Sequence, residues 1–196
     1  MTTAAAEKVW TVEDLLAMPD DGVRRWIIDG KLREQPPEYE GVTMTVRNRH
    51  HCEVMSFVTT TLTNWLRSRP KPRGGVYSGE VGVVLPGRPT ALGIDVAYAT
   101  PDVVAVQDDE KTTLLDGVPT LVVEILSPND TRAQIKEKRQ KYLKAGIPLV
   151  WHIDPDERTV NVYKPGATPE FYNVTQRVPE HPAMPGFAPA VAELFE

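Results

Sequence analysis

The chain has 196 residues, of which 41% are hydrophobic and 25% are charged, and its formal net charge is −5. This length and composition are typical of one globular domain over residues 1–196 and argue against a disordered protein. The single cysteine, Cys52, excludes an internal disulfide, and the acidic balance argues against binding nucleic acid through bulk charge alone. Because no apolar run is long enough for a bilayer and the N-terminal segment lacks a hydrophobic signal, we expect a cytoplasmic protein.

The first third of the chain predicts a short helix, a hairpin and a long helix. Thr11 is a suitable N-cap for a helix that ends before Gly22. The Asp29-Gly30 pair between two short strand-like segments predicts a β-hairpin, and a loop over 35–48 follows it. Apolar residues at helical spacing then predict a helix over 50–69, which two prolines end.

The rest of the chain alternates strand and helix signals. Strand-like segments over 75–85 and 93–98 precede 101–106, for which a helical turn and a short strand both remain open. A helix-start signature at 127–131 predicts a helix to Ala145. Further strands are predicted over 149–154, 159–163 and 171–174. The order of these elements predicts a mixed α/β fold.

Residues 119–128 form an almost continuous apolar run between two prolines, which predicts a strand buried on both faces. One charged residue, Glu124, interrupts this run. A carboxylate in a core strand is costly unless it is paired, protonated or bound to a metal ion. We therefore expect a specific partner to face Glu124.

Other charged residues also stand where apolar ones are expected. Asp95 interrupts the 94–98 strand much as Glu124 interrupts its own, and Glu80 lies inside a strand of valines and glycines. On the following helix, Lys138 comes three residues after Ile135 and four before Tyr142, so it shares their sheet-facing side. The neighbouring Arg139 is a rival for that position.

Carboxylates on neighbouring strands and a nearby lysine suit metal-dependent phosphodiester cleavage. Mg²⁺ or Mn²⁺ takes hard oxygen ligands, here Asp95 and Glu124 with Glu80 as a further candidate, and acidifies a bound water. A lysine can orient the water or stabilise the charge that develops on the phosphate. The alternative is a buried Glu124–Lys138 ion pair that serves structure only, with Asp95 capping a turn.

A set of motifs resembles the Uma-two family of restriction-endonuclease-like proteins in the PD-(D/E)xK nuclease superfamily. The resemblance runs from about Trp26 to the C-terminus, and its central motif reads Asp95, Leu-Val-Val-Glu124-Ile-Leu-Ser-Pro, Lys138, Tyr142, Ala-Gly-Ile-Pro, Trp151 and Asp154-Pro155. It implies a mixed β-sheet core flanked by helices, with Asp95 and Glu124 as metal ligands and Lys138 as the catalytic lysine. It also implies that the substrate is DNA.

The chain departs from that family pattern at three places. Ile94 stands where a proline normally precedes the first aspartate, and Pro101-Asp102 makes Asp102 an alternative first ligand. Leu126 stands where a lysine is expected two residues after the glutamate, so Lys138 must supply the ammonium group. Residues 24–26 lack the glutamate that family members often carry in the first hairpin, which puts a second metal site in doubt.

The histidines and the short basic runs allow several roles. His51 matches a histidine of the family pattern and is a catalytic candidate, although a helix cap, a place in the wall of the site or a surface position would also fit the sequence. We expect His152 to be a satisfied, partly buried residue of its strand. The basic runs 47–51 and 67–73 could contact phosphates, but short runs of this kind are usually solvated surface.

Two functions follow from these residues. The first is a Mg²⁺- or Mn²⁺-dependent endonuclease that hydrolyses DNA phosphodiester bonds. The second is a binding or interaction module that keeps the nuclease-like fold without its chemistry. Because no DNA-reading domain is appended, a partner protein or a homodimer could supply specificity.

Overall fold

The computed structural model describes residues 8–21, 23–35, 49–87, 89–108, 110–127 and 130–196. Its helices are α1 Val12–Leu16, α2 Arg49–Arg67, α3 Pro101–Ala105 and α4 Arg132–Lys144, with a 3₁₀ turn at Ala192–Leu194. Its strands are β1 Arg24–Ile28, β2 Lys31–Gln35, β3 Gly75–Val84, β4 Ala91–Ala99, β5 Leu115–Asp116, β6 Leu121–Ile125, β7 Leu149–Asp154, β8 Thr159–Tyr163 and β9 Glu170–Asn173. None of the helices in these ranges is long and apolar enough to cross a membrane.

Most predicted elements are found close to their expected bounds. The long helix predicted over 50–69 is α2, and the segment 101–106, left open by the sequence, begins as helix α3. Thr11 and Thr131 each cap a helix through a reciprocal pair of hydrogen bonds with the third helical residue. The loop predicted over 35–48 lies, apart from its first residue, outside the described residues.

The strands form one nine-stranded mixed sheet in the order β2-β1-β4-β6-β7-β8-β9, with β3 paired to β4 and β5. The β6–β7 and β3–β5 pairs are parallel, and the other pairs are antiparallel. The crossover between β6 and β7 contains α4, as a parallel connection requires. Helix α4 therefore packs beside β6, the strand that carries Glu124.

Apolar side chains cover both faces of the sheet. On one face, Val54, Val58 and Leu62 of α2 pack with the C-terminal segment against alternate residues of β6 and β7. On the other face, Tyr142 of α4 and Ile147 pack against Val122 and Val150 and the alanines of β4. The strands β6 and β7 thus read as continuous apolar runs because both of their faces are buried.

Candidate active site

The site lies at a gap in the sheet beside β4. Strand β3 pairs with β4 from Ala91 to Ala99 and so occupies one edge of β4, with a single β-bulge at Gly79 and Glu80 opposite Asp95. The opposite edge is shared, because β1 meets it at Ala91 and β6 meets it at residues 96–98. Between those two contacts no strand of the described chain pairs with that edge, so β1 and β6 diverge and leave room for side chains.

A pocket of about 400 Å³ occupies this gap. Its charged lining includes Arg24, Glu80, Glu124 and Lys138, together with Asp20, Arg25 and Asp130. Its apolar lining includes Leu15 and Leu16 of α1, Trp26 of β1, Leu92 of β4 and Leu126 after β6. A cleft of this size with a few convergent polar groups is typical of a binding or catalytic site.

Glu124 points to the α4 side of the sheet because its neighbours Val123 and Ile125 point to the α2 side. Its side chain is only 14% exposed, and both of its oxygens lie within 3.3 Å of Lys138 Nζ. The Tyr142 hydroxyl donates a hydrogen bond to Glu124 Oε1. The partner that the buried carboxylate required is therefore a lysine together with a tyrosine.

Helix α4 brings Lys138 to this carboxylate. The Lys138 ammonium also donates to the backbone carbonyl of Gly93, 3.3 Å away on the open edge of β4, and its Nζ lies 6.0 Å from the centroid of a Trp26 ring. Arg139 instead places its guanidinium over the ring of Tyr163, 4.3 Å from the centroid. The structure therefore places Lys138, and not its rival Arg139, at the site.

Asp95 ends the pairing of β4 with β6. The last paired residues are Val96 and Val123, so Asp95 and Glu124 occupy the next positions of the two strands. There the Ile125 amide donates to Asp95 Oδ2 at 2.8 Å, and the carboxylate takes the place of a strand carbonyl. Asp95 is 4% exposed, which makes it the innermost carboxylate of the group.

His51 lies behind Asp95 at the start of α2. Its Nε2 is 3.3 Å from Asp95 Oδ2, and the imidazole is only 2% exposed. Because His51 is buried on the α2 side and does not line the pocket, the surface position considered for it is excluded. The sequence could not place it there, since its contact with β4 depends on how α2 crosses the sheet.

Burial and like charge both act on the central carboxylate. Desolvation raises the pKa of Glu124 above 4.5, Lys138 lowers it again, and the negative charge of Asp95 raises it. Burial and the charge of Glu124 hold the pKa of Tyr142 well above 10, so the tyrosine remains a hydrogen-bond donor at all ordinary pH values. Two carboxylates that disfavour each other's charge are suited to binding a cation.

The remaining predicted residues lie at different distances from this centre. Glu80 lines the pocket, but its Oε1 is 2.6 Å from Arg24 Nη2. Asp102 is exposed on α3, beyond the end of β4 that pairs with the start of β6, and so is remote from Glu124. In the described part of the chain, no three His, Cys, Asp or Glu side chains form a group that could hold a metal ion.

The prediction for His152 is wrong. It is 2% exposed rather than partly buried, and its Nε2 has no hydrogen-bond partner among the described residues. It lies beside Glu124 in the parallel β6–β7 pair, and its ring contacts that of Tyr163 at a centroid distance of 4.9 Å. Burial, with the positive charges of Arg139 and Lys138, lowers its pKa from 6.5 to about 3.

Comparison with known proteins agrees with this architecture. The model of the Uma2 family, described as "Putative restriction endonuclease", matches residues 12–192. A crystal structure described as "a putative nuclease belonging to DUF820" from Anabaena variabilis ATCC 29413 is similar, with a TM-score of 0.74 and 20% identity over 94% of this chain and 97% of that one. The predicted fold, a restriction-endonuclease-like mixed sheet flanked by helices, is confirmed. No curated protein matches the chain.

Proposed function

This chain belongs to the Uma2 family, and on that basis we propose that it is a metal-dependent nuclease that hydrolyses DNA phosphodiester bonds. The observation that carries the proposal is the joint position of Asp95, Glu124 and Lys138 at the gap between β1 and β6. A structural ion pair needs one acid and one base. Here a second carboxylate, Asp95, occupies the next position of the neighbouring strand. Burial raises the pKa of Glu124 and the charge of Asp95 raises it further, which a purely structural arrangement would avoid.

The residues present fit a Mg²⁺ or Mn²⁺ ion. Mg²⁺ is usually held through one or two carboxylates, with waters and substrate phosphates completing its coordination. Asp95 and Glu124 would hold it here, and no third side chain is needed. When bound, such an ion acidifies a coordinated water and neutralises charge on the phosphate.

The other residues of the site position and balance these two carboxylates. A hydrogen bond from the Ile125 amide fixes the orientation of Asp95, and one from Tyr142 fixes that of Glu124. His51 Nε2 lies 3.3 Å from Asp95 Oδ2 but forms no hydrogen bond with any described residue. In our proposal, Lys138 stabilises the negative charge that develops on the phosphate oxygens. His51 accordingly acts through Asp95 and does not contact the substrate.

Plasmid cleavage tests this function. Supercoiled DNA incubated with the protein and Mg²⁺ or Mn²⁺ should be nicked or linearised, and Glu124→Gln should reduce the rate by at least about 1000-fold. Glu53→Gln is the matched control, because Glu53 is an exposed glutamate on the first turns of α2. Cleavage that is equal in the Glu124→Gln variant would refute the proposal.

The second candidate is a nuclease-fold module that binds without catalysing. It is favoured by the contacts of Glu124, whose two oxygens already accept from Lys138 and Tyr142. Calorimetric titration with Mn²⁺ distinguishes the two functions. A site that is lost in Asp95→Asn supports the nuclease, whereas no metal binding by the wild-type protein supports the module. Sedimentation of the wild-type chain would show whether it is a monomer or a homodimer.

A further inference from the structure

Helix α4 is strongly basic although the protein is acidic. Between Arg132 and Lys144 it carries six lysines and arginines and a single acid, Glu137, so its formal charge is +5. The formal charge of the whole chain is −5. Positive charge is therefore concentrated on the helix that supplies Lys138 to the active site.

Half of these six cations have a partner in the fold, namely Lys138 on Glu124, Lys141 on Asp29 and Arg139 over the Tyr163 ring. The other three, Arg132, Lys136 and Lys144, are exposed and form no ion pair with any described residue. Together with the exposed Gln140 they stand four residues apart, so they form one ridge on the solvent side of α4. At a rise of about 1.5 Å per residue, this α4 ridge is about 18 Å long.

The stability of the helix does not explain the α4 ridge. Arg132 is the first residue of α4, and the first turn contains no acid, although the positive end of a helix dipole favours acids. Arg132 and Lys136 are also like charges four residues apart, which destabilise a helix. Elsewhere the chain follows the ordinary rules, because α1 begins with two acids and Arg49 of α2 lies 3.9 Å from Glu53, four residues later.

A groove connects the α4 ridge with the active-site pocket. This groove of about 410 Å³ lies between α4 and the first hairpin, and Lys136 and Gln140 of the ridge line it. It shares Trp26 and Gln134 with the pocket that contains the candidate catalytic residues. A chain that enters the pocket can therefore continue along the surface of α4.

The acids of the groove are paired with arginines. Glu137 Oε1 accepts from Arg33 Nη2 at 2.8 Å, and Glu34 Oε1 accepts from Arg25 Nε at 2.8 Å. Each pair reduces the repulsion that its carboxylate would exert on an anion. Lys136 has no such counter-charge among the described residues, so it is placed to attract an anion to the groove.

A phosphate backbone fits the α4 ridge better than a lipid surface does. Helices that lie on a membrane combine basic residues with large apolar side chains that enter the lipid. Among the described residues, none of the large apolar side chains that are exposed belongs to α4. The ridge therefore offers charge without an apolar anchor, as contacts to nucleic-acid phosphates require.

We propose that the α4 ridge binds the phosphate backbone of the DNA substrate, with Arg132, Lys136 and Lys144 each neutralising a phosphate group outside the pocket. This inference rests on the proposed nuclease function. It assigns the backbone on one side of the reacting phosphate to α4, while Lys138 on the opposite side of the same helix serves the reacting phosphate itself. It also explains how an acidic protein can hold a polyanion, since the charge that matters is local.

The salt dependence of DNA binding tests the α4 ridge. The affinity for a fluorescein-labelled DNA duplex is measured by anisotropy in EDTA, which prevents metal-dependent hydrolysis. Arg132→Gln, Lys136→Gln and Lys144→Gln should each weaken binding about 8-fold at about 0.1 M salt. Each should also reduce the slope of log affinity against log salt by about 0.9, and the triple variant should reduce it by about 2.7.

A matched triple variant controls for net charge. Arg67→Gln, Lys71→Gln and Arg158→Gln remove three exposed cations that line neither the pocket nor the groove. This control has the same net charge as the ridge variant and should keep the wild-type slope. Equal losses of slope in the two triple variants would show that only bulk charge matters, and would overturn the proposal.

A gain of binding provides a test that loss of fold cannot imitate. Gln140→Lys fills the uncharged position of the α4 ridge, so it should tighten binding about 8-fold at about 0.1 M salt and steepen the slope by about 0.9. Urea unfolding should find the ridge triple variant at least as stable as the wild-type protein, because repulsion is removed. A less stable triple variant with an unchanged slope would mean that the ridge is structural.

The outcomes separate this inference from the proposed function. Ridge-dependent binding without plasmid cleavage would support the phosphate contacts and refute the nuclease. A wild-type protein that fails to bind the duplex at low salt would refute the ridge, while plasmid cleavage decides the nuclease independently. Ridge-dependent binding to phosphatidylserine vesicles, with none to DNA, would assign the ridge to a membrane and overturn the proposal.

Discussion

The two faces of the central sheet are built in different ways. Helix α2 buries His51, Val54, Val58 and Leu62, so its contact with the sheet is almost wholly apolar. Helix α4 buries Tyr142 alone. Side-chain contacts at Lys138 with Glu124, Lys141 with Asp29 and Glu137 with Arg33 connect α4 to the strands instead.

This difference separates stability from chemistry. Apolar burial stabilises a fold without requiring specific partners, whereas partly buried ion pairs contribute little net stability because desolvation offsets their attraction. A helix held mainly by polar contacts can present a lysine to a pocket without losing a large apolar interface. We therefore expect changes on the α2 face to alter stability and changes on the α4 face to alter activity.

Among changes on the two helices, the largest expected effect is loss of activity when the Lys138 ammonium of α4 is removed. Lys138→Met should lower the rate of plasmid cleavage about 100- to 1000-fold, or about 3–4 kcal/mol of barrier. Lys138 is the strongest influence that lowers the pKa of Glu124, so that pKa should rise further in the variant. The acidic limb of the pH–rate profile should therefore move to higher pH.

Lys138→Met should also change how the free energy of unfolding depends on pH. Because the folded pKa of Glu124 is raised, the folded state holds its proton more tightly, and the contribution of this group to stability falls as pH rises above its ordinary value of 4.5. That fall should be larger in Lys138→Met. Lys71→Met, at an exposed lysine of the loop after α2, is the control and should leave both profiles unchanged. A normal cleavage rate in Lys138→Met would contradict the role of α4.

On the α2 face, the expected effect is on stability. Leu62 is fully buried in the apolar cluster beneath α2, and Leu62→Ala should lower the free energy of unfolding by about 3 kcal/mol. Ile135→Ala on α4 removes an apolar side chain that is only half-buried, so it should cost less than half as much. Urea unfolding measures both values. Equal losses would show that α4 is held by apolar packing after all.

The sequence predicted the centre of the site because burial and charge conflict there. Glu124 in an apolar strand required a partner, and the helical spacing of Ile135, Lys138 and Tyr142 identified the side of α4 that supplies it. The same spacing places Tyr142 on the sheet-facing side of α4 but does not by itself predict its hydrogen bond to Glu124. The signal was present, since a buried tyrosine hydroxyl usually needs an acceptor.

Other parts of the site depend on pairing between distant strands, which periodicity does not reveal. The β-bulge at Gly79 and Glu80 depends on how β3 pairs with β4. The ion pair between Glu80 and Arg24 joins two residues that are 56 positions apart in the chain, so it depends on how β1 and β3 both meet β4. The sequence signal was weak but real, because a Gly-Glu pair inside a strand can mark a bulge. The contact of His51 with Asp95 likewise depends on the crossing of α2 over the sheet.

A smaller effect is expected where α4 and β7 bury a neutral histidine. The pKa of His152 falls from 6.5 to about 3 on folding, so the unfolded chain binds a proton between those values and the folded chain does not. Stability from this group is therefore complete above pH 6.5 and is lost as pH falls. His152→Phe keeps a ring against Tyr163 and removes the titrating group. Between pH 6.5 and 4.5, the variant should therefore lose about 2 kcal/mol less of its free energy of unfolding than the wild-type protein does. Parallel urea titrations of both proteins measure the difference, and identical slopes would contradict a buried neutral His152.

The smallest expected effect concerns the ion pair between α4 and the first hairpin. Arg33 Nη2 lies 2.8 Å from Glu137 Oε1, but both side chains are 35% exposed, so water screens their attraction. A double-mutant cycle of Arg33→Ala and Glu137→Ala, measured by urea unfolding at low salt, should give a coupling energy below about 1 kcal/mol. The coupling should shrink further as salt is added, because exposed charges are screened. A coupling well above that value would mean that this pair holds α4 in place, and the α4 face would then contribute to stability through charge as the α2 face does through apolar burial.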